Sequence, residues 1–477
     1  MSLAWRAAAL GLALSNALAC GGAGRATVES PPATSAPEAV RYRIRPDATL
    51  ATMAVEVCFR GAAPRALVAR SPQEASFLLG ARVRGAGRLA VGGGRIELAG
   101  VGRDACVSYG VDLAAAARTS RFGGSFAQAV VVTVQTWLWA PWPRSARLDA
   151  RVSAELPDGM AASLPWPAHD AEHVLDERAF RFQACSVFGH FTTAEVDAPD
   201  AKLEVAIVDP ERAPATDALV HWLSEAARVA SLLYGRFPTD WAQIVVVPVR
   251  ASTDPVAFGI AGRGSPGSIV FFVASNAQEQ ALVSDWVAVH EMTHLGAPFV
   301  QREDSWLTEG LATYYQEILR GRAGLQSPER TFWALDDGFR RGAASGSGRS
   351  IADEAGGHAF ERVYWGGAAI VLEADVALRR QSGGTRSLDD ALAELRACCS
   401  EDARPWTAAE MVARIDRASG TSALGDAVAR DLRSSDFPPA RELLARLGVT
   451  TDAHEAHLDD AAPDAAIRRA LLQPTTP

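Results

Sequence analysis

Beyond its first twenty residues the chain lacks any apolar run that is long and charge-free enough to cross a bilayer. Ala127 to Trp139 comes nearest, but it is short, carries Gln135 and reads as a buried strand. An excess of positive charge is also missing: 47 Lys and Arg stand against 56 Asp and Glu, a formal net charge of -9. That balance, with no interleaving of aromatics and basic clusters, excludes a nucleic-acid binder and a reader of anionic membranes. Cysteine is sparse, at 6 residues, and its spacing does not suit a zinc cluster. No internal repeat is visible. By contrast, 48% of the 477 residues are apolar, so several cores can be buried and wholesale disorder is excluded. The length implies roughly two to four domains.

The N-terminus reads as an export signal. Arg6 is the only charge before an apolar run from Ala7 to Leu14, and small residues then lead to Ala19-Cys20. Ala17-Leu18-Ala19-Cys20 resembles a bacterial lipobox, which implies a lipid anchor on Cys20. A Pro-, Ser- and Ala-rich tether follows to Ala39. Residues 1–20 are thus assigned to the signal and 21–39 to a linker, and the expected location is the cell envelope or the exterior. Cys58 and Cys106, in strand-like segments, could pair in an oxidising compartment; the adjacent Cys398 and Cys399 are not expected to bond to each other.

Residues 40–197 alternate in short strands divided by Gly, Pro and Asp signals, which predicts a β-sandwich-like N-terminal domain. From 198 to 345 the pattern changes to strand–helix–strand–strand–helix–helix, with helices expected at Asp217 to Tyr234, Glu279 to Leu295 and Ser305 to Gly321. A Gly/Ser-rich loop, Gly342 to Ser350, leads into a helical C-terminal region, 346–477, with a long helix at Phe360 to Gln381. The fold class is multidomain α+β.

The chemistry concentrates in Val289-His290-Glu291-Met292-Thr293-His294. Side chains four apart on a helix point the same way, so His290 and His294 can offer two imidazoles to one ion. Glu291 lies where it can serve as general base toward water held at that ion. A catalytic zinc takes three protein ligands and keeps one open position. Glu309, in Trp306-Leu307-Thr308-Glu309-Gly310-Leu311-Ala312-Thr313-Tyr314-Tyr315, supplies a third ligand from the next helix. Thr313 is a candidate for orienting a ligand histidine, and His358, beside Gly356-Gly357, a candidate hydrogen-bond donor. His454 and His457, flanking Glu455, lack the four-residue spacing and read as solvated.

This pair of motifs resembles the gluzincin metallopeptidases, the thermolysin-like clan. It is similar first to the glycyl aminopeptidase family, whose second motif reads W-x-x-E-G-x-x-x-Y-Y, and next to the aminopeptidase N family, with W-L-x-E-G. Arg320-Gly321-Arg322, Ser327-Pro328-Glu329, Val363-Tyr364-Trp365-Gly366-Gly367 and Gly383-Gly384-Thr385 continue the first resemblance. It implies a thermolysin-like catalytic domain holding one zinc ion through His290, His294 and Glu309. Hydrolysis of a peptide or protein substrate would use a zinc-bound water activated by Glu291. Tyr364 stands where the family places the phenol that stabilises the oxyanion. Two other readings stay open, an inactive envelope scaffold of the same fold and a zinc hydrolase of non-peptide amides. The stretch Gly259 to Ser268 carries no acid where these aminopeptidases read a substrate amine, and Arg263 stands there instead, which leaves exo- versus endopeptidase action undecided.

Overall fold

The computed structural model describes residues 37–473, except 86, 121, 146 and 263–266. Cys20, the export signal and Arg263 therefore lie outside the described residues. Three sheets build the N-terminal half. A seven-stranded sheet contains Ala39–Pro46, Thr52–Arg60 and Cys106–Asp112, and two four-stranded sheets accompany it. Period-two alternation is the reason these segments are strands. Val40, Tyr42 and Ile44 turn inward with Val55, Val57, Val107 and Tyr109, while Arg41, Arg43 and Glu56 take the other face. Cys58 and Cys106 pair across adjacent strands and are joined by a disulfide.

The second sheet system has five strands, in the order Thr192–Ala198, Ala201–Ile207, Trp241–Val249, Ser268–Ala274, Val256–Gly262. The middle three are parallel, and Trp241–Val249 and Ser268–Ala274 are almost wholly buried, which their largely apolar sequences anticipate. Helices cover one face through Trp222, Leu223, Val289 and Met292. Against the other face, Ala206, Val245, Val247 and Val270 pack on Ala129, Val131, Cys185 and Val187 of an N-terminal sheet. Gln243 Nε2 donates to Ser163 Oγ (2.8 Å) across this contact. The N-terminal half is thereby fastened to the back of the catalytic sheet.

Glu279 to Leu295 is two helices rather than the one expected, Glu279–Val283 and Val287–His294. The break has a local cause. Asp285 accepts a hydrogen bond from the Val287 N–H (2.8 Å), so its side chain serves the start of a new helix. The helix Ser305–Arg322 follows, then Pro328–Ala344 and the long helix Phe360–Gln381. Pro328–Ala344 has no counterpart in the sequence reading, although Ser327 accepts from the Arg330 N–H as an N-cap and Pro328 occupies the first turn. Cys398 and Cys399 are bonded to each other, contrary to expectation. They close the helix Leu388–Cys399.

The helices carrying Glu309 and Tyr364 cross at two glycines. A Cβ on Gly310 would lie 2.5 Å from the Gly367 carbonyl carbon, and one on Gly367 would lie 2.2 Å from the Trp306 oxygen. Backbone therefore meets backbone at this crossing, one residue from Glu309 and one turn from Tyr364. Below it, Tyr314 donates to Asp375 (2.9 Å) and Tyr315 to Asp389 (2.6 Å), which also pairs with Arg322 (2.7 Å). These buried bonds tie the Glu309 helix to the helices on either side. On an isolated helix Gly310→Ala would gain about 1 kcal/mol. Here it is expected to cost about 1–3 kcal/mol or more through overpacking, as is Gly367→Ala, which denaturant titration measures.

Candidate active site

His290 and His294 project from the helix Val287–His294 toward Glu309 on the neighbouring helix. The link between these helices is short and is held in place. Trp406 donates to the Phe299 carbonyl (2.7 Å), Gln301 donates to the Trp406 carbonyl (2.9 Å), and Asp304 accepts from the Ala408 N–H (2.9 Å). The helical C-terminal region thus clamps the turn that aims Glu309 back at the histidines.

The three ligand atoms converge. His290 Nε2 lies 3.2 Å from His294 Nε2 and 3.3 Å from Glu309 Oε2, and His294 Nε2 lies 3.4 Å from that same oxygen. Atoms bound tetrahedrally to zinc at about 2.0–2.1 Å are separated from each other by about 3.3 Å. The triangle is the face of such a tetrahedron. Two imidazole nitrogens turned toward each other beside a carboxylate oxygen suit a cation. The burial of His290 and His294 denies them water in its place. The donor set of two imidazoles and one carboxylate fits zinc, with an open side for catalysis.

The neighbours aim these ligands. His290 Nδ1 is 2.8 Å from Gln316 Oε1, which fixes the ring and leaves Nε2 for the metal. Gln316 in turn donates to Glu317 (3.0 Å), which also takes Arg320 (3.0 Å). Thr313, a candidate for orienting a ligand histidine, does not play this part: its buried hydroxyl has no hydrogen-bond partner among the described residues. Gln316 lies two helical turns after Glu309 and was recognisable only from where the histidine's far nitrogen points.

Glu291 is buried, and its Oε2 accepts from the Ala261 N–H (2.8 Å) on the edge strand Val256–Gly262. That strand passes very close. A Cβ on Gly259 would meet Glu291 Cγ at 2.6 Å, so glycine there is a steric requirement. Burial pushes the Glu291 carboxyl above its ordinary pKa, against the opposing pull of His290 and His294. For Glu309 burial pushes upward as well, but His294 and His290 outweigh it and hold the carboxyl well below the usual range. The Tyr364 ring stacks on His290 with centroids 6.0 Å apart and planes 14° from parallel. Burial, followed by the charges of Glu309 and Glu291, raises its phenol well above the ordinary value, so it stays an O–H donor.

A cavity of about 520 Å³ opens in front of Glu309 and Tyr364. His358 lines it, with its ring 6.2 Å from Phe360. So do residues of the N-terminal half, including Glu74, Phe77, Thr133 and Gln183. The cleft was expected between the metal-bearing helices and the helical region; the N-terminal half adds a further wall. His454 stands apart from this site, and Asp452, Glu455 and His457 form an exposed group whose contacts are local.

No protein-family model matches the sequence, and no curated relative matches it. Solved structures do match. An aminopeptidase N family protein from Idiomarina loihiensis is similar over 86% of this chain and 78% of its own, at 16% identity and a TM-score of 0.68. An M1 zinc metallopeptidase from Deinococcus radiodurans is similar over 85% of this chain and 95% of its own, at 13% identity and a TM-score of 0.54. A mutant of the latter bound to a Tyr-Ser-Ala substrate is similar over 85% and 96%, at 14% identity and a TM-score of 0.54.

The arrangement predicts one zinc per chain by elemental analysis, and zinc that raises the melting temperature of metal-stripped protein. At a zinc concentration a thousand times Kd the gain is about 4 kcal/mol. Gln316→Leu is expected to weaken zinc binding by about 10- to 100-fold, read by competition with a chelating dye. Among the two families whose motifs the sequence resembles, these neighbours stand with aminopeptidase N, and the chain has the fold of the M1 zinc metallopeptidases.

Proposed function

We propose that this protein is a zinc metallopeptidase that hydrolyses peptide bonds at the cell envelope. The observation that carries the reading is the convergence of His290, His294 and Glu309, with Glu291 and Tyr364 beside them. His290, His294 and Glu309 would hold a zinc ion, which would supply Lewis acidity toward the scissile carbonyl and the attacking water.

The remaining work belongs to side chains of the protein. Glu291 takes the proton from the attacking water and delivers it to the departing amine. Its burial and its bond from Ala261 hold the carboxylate in one orientation. A carboxyl raised by burial is better suited to accept and return a proton near neutrality than an exposed one. Attack on the carbonyl builds negative charge on its oxygen, and the Tyr364 hydroxyl, kept protonated, donates to it. The edge strand Val256–Gly262 presents backbone groups beside Glu291, which suits an extended peptide laid along it as an added strand. The Tyr-Ser-Ala peptide bound by a structural neighbour belongs to the same substrate class. Export and a lipid anchor at Cys20 rest on the sequence of residues 1–20.

The test is turnover of a quenched peptide library by zinc-loaded protein, run beside small amides and esters. Glu291→Gln is expected to abolish measurable hydrolysis while zinc content stays at one per chain. A variant that retains parental turnover would overturn the assignment of the base, and cleavage confined to small amides would replace the peptidase reading with amide hydrolysis. Tyr364→Phe is expected to lower kcat by about 100- to 1000-fold with little change in KM, the loss typical of an oxyanion donor.

A further inference from the structure

The bond between Cys398 and Cys399 has no part in the chemistry above, yet it stands at the root of the clamp on the Glu309 turn. Successive side chains on a helix point about 100° apart around its axis. A bond between two of them closes a ring through the peptide unit that joins them, and the ring restricts the backbone of both residues. This ring occupies the last two positions of the helix Leu388–Cys399. Cys398 is exposed, while Cys399 is half-buried and packs against the core of the catalytic and helical regions. An external thiol can therefore reach Cys398, and what the bond restrains lies on the protein side.

The chain beyond the ring leads to the metal ligands. Ser400 to Pro405 form neither helix nor strand. The Cys399 carbonyl accepts from the Asp402 N–H (3.1 Å), and the Asp402 carboxylate accepts from the Trp406 indole N–H (2.7 Å). Trp406 is buried and carries the backbone bonds to Phe299 and Gln301, with Val300 paired beside it. Ala408 then donates to Asp304 (2.9 Å), the residue before the Glu309 helix. One end of this segment is thus held by Cys399 and Asp402, and the other holds the turn that aims Glu309. Ser400 already has helical dihedrals (φ -60°, ψ -24°), so with the ring open the helix can run on. In a longer helix the Asp402 N–H would bond to the Cys398 carbonyl instead of that of Cys399, which moves Asp402 away from Trp406.

We propose that Cys398 and Cys399 form a reversible thiol–disulfide site that exchanges with an external dithiol, and that its oxidation state sets how firmly the Glu309 turn is held. The proposal goes beyond peptide hydrolysis and rests only on the zinc-site assignment. A thiolate of the dithiol attacks Cys398 Sγ, the sulfur–sulfur bond breaks, and its electron pair leaves on Cys399 Sγ, which takes up a proton. The second thiolate of the reagent attacks the mixed disulfide and releases Cys398, which is protonated in turn. Two electrons and two protons pass to the protein, and the reagent departs as its disulfide. An oxidised dithiol reverses both steps.

The experiment equilibrates zinc-loaded full chain with reduced or oxidised dithiothreitol and removes the reagent without air. Alkylation and mass spectrometry locate the thiols, and competition with a chelating dye gives the zinc Kd. The oxidised protein is expected to keep the Cys398–Cys399 bond. Reduction is expected to open it and to raise the zinc Kd by about tenfold, the scale of losing the support behind a metal ligand, and reoxidation to restore the first value. The double variant Cys398→Ser, Cys399→Ser is expected to show the reduced value whichever reagent is used. An equal Kd with the bond open and closed overturns the proposal. So do free thiols at both positions in the oxidised protein, or a Kd shift on reduction that persists in the double variant.

Peptide turnover, followed alongside, separates this idea from the peptidase reading. If no peptide is cleaved but the Kd follows the state of the bond, the peptidase reading fails and the redox site is supported. Turnover with a Kd indifferent to the bond leaves the peptidase reading in place and overturns the redox site.

Discussion

Two imidazole nitrogens and a carboxylate oxygen lie within 3.4 Å of one another in a buried corner of this protein, an arrangement that suits a cation. Everything around it serves to keep the three atoms together. The histidines are fixed relative to each other by one helix turn, but Glu309 comes from another helix, and its position depends on how that helix docks. Glycine meets glycine at the crossing with the Tyr364 helix, and buried tyrosine–aspartate bonds lie below it. The tyrosines of the W-x-x-E-G-x-x-x-Y-Y pattern therefore act on geometry. They hold the carboxylate in place rather than touching the reacting atoms.

The N-terminal half is more than an appendage. Its sheet packs on the back of the five-stranded sheet through small and branched side chains, and its loops reach round to form part of the cleft. The edge strand Val256–Gly262 lies between these parts. Near its end a Cβ on Gly262 would stand 2.7 Å from the Gln183 oxygen, so the two halves approach at backbone distance. The cleft is therefore walled by residues of the catalytic half, Glu309 and Tyr364 among them, and by residues of the N-terminal half.

Much of this was legible in the sequence. The helix Phe360–Gln381 and the parallel strands carry strong periodic or continuous apolar patterns, and the ligands follow from four-residue spacing with a matching acid downstream. Other features were hidden because their signals act through space. The edge strand Val256–Gly262 carries two glycines and no polar alternation, and it becomes a strand by pairing with Ser268–Ala274. The helix break before Val287 depends on one aspartate side chain folding back. In Pro328–Ala344, Gly338 and Gly342 obscure the helical pattern, yet both are there to let Trp365 lie against the helix. Gln316 is an ordinary polar residue in the sequence, defined only by where a histidine's second nitrogen points.

X-ray absorption at the zinc edge on purified, zinc-loaded protein tests the central claim most directly. The account predicts a first shell of two imidazole nitrogens and low-Z oxygen at about 2.0–2.1 Å, four-coordinate, with histidine ring scattering beyond it. A shell containing sulfur, or six oxygens with no imidazole scattering, would contradict it.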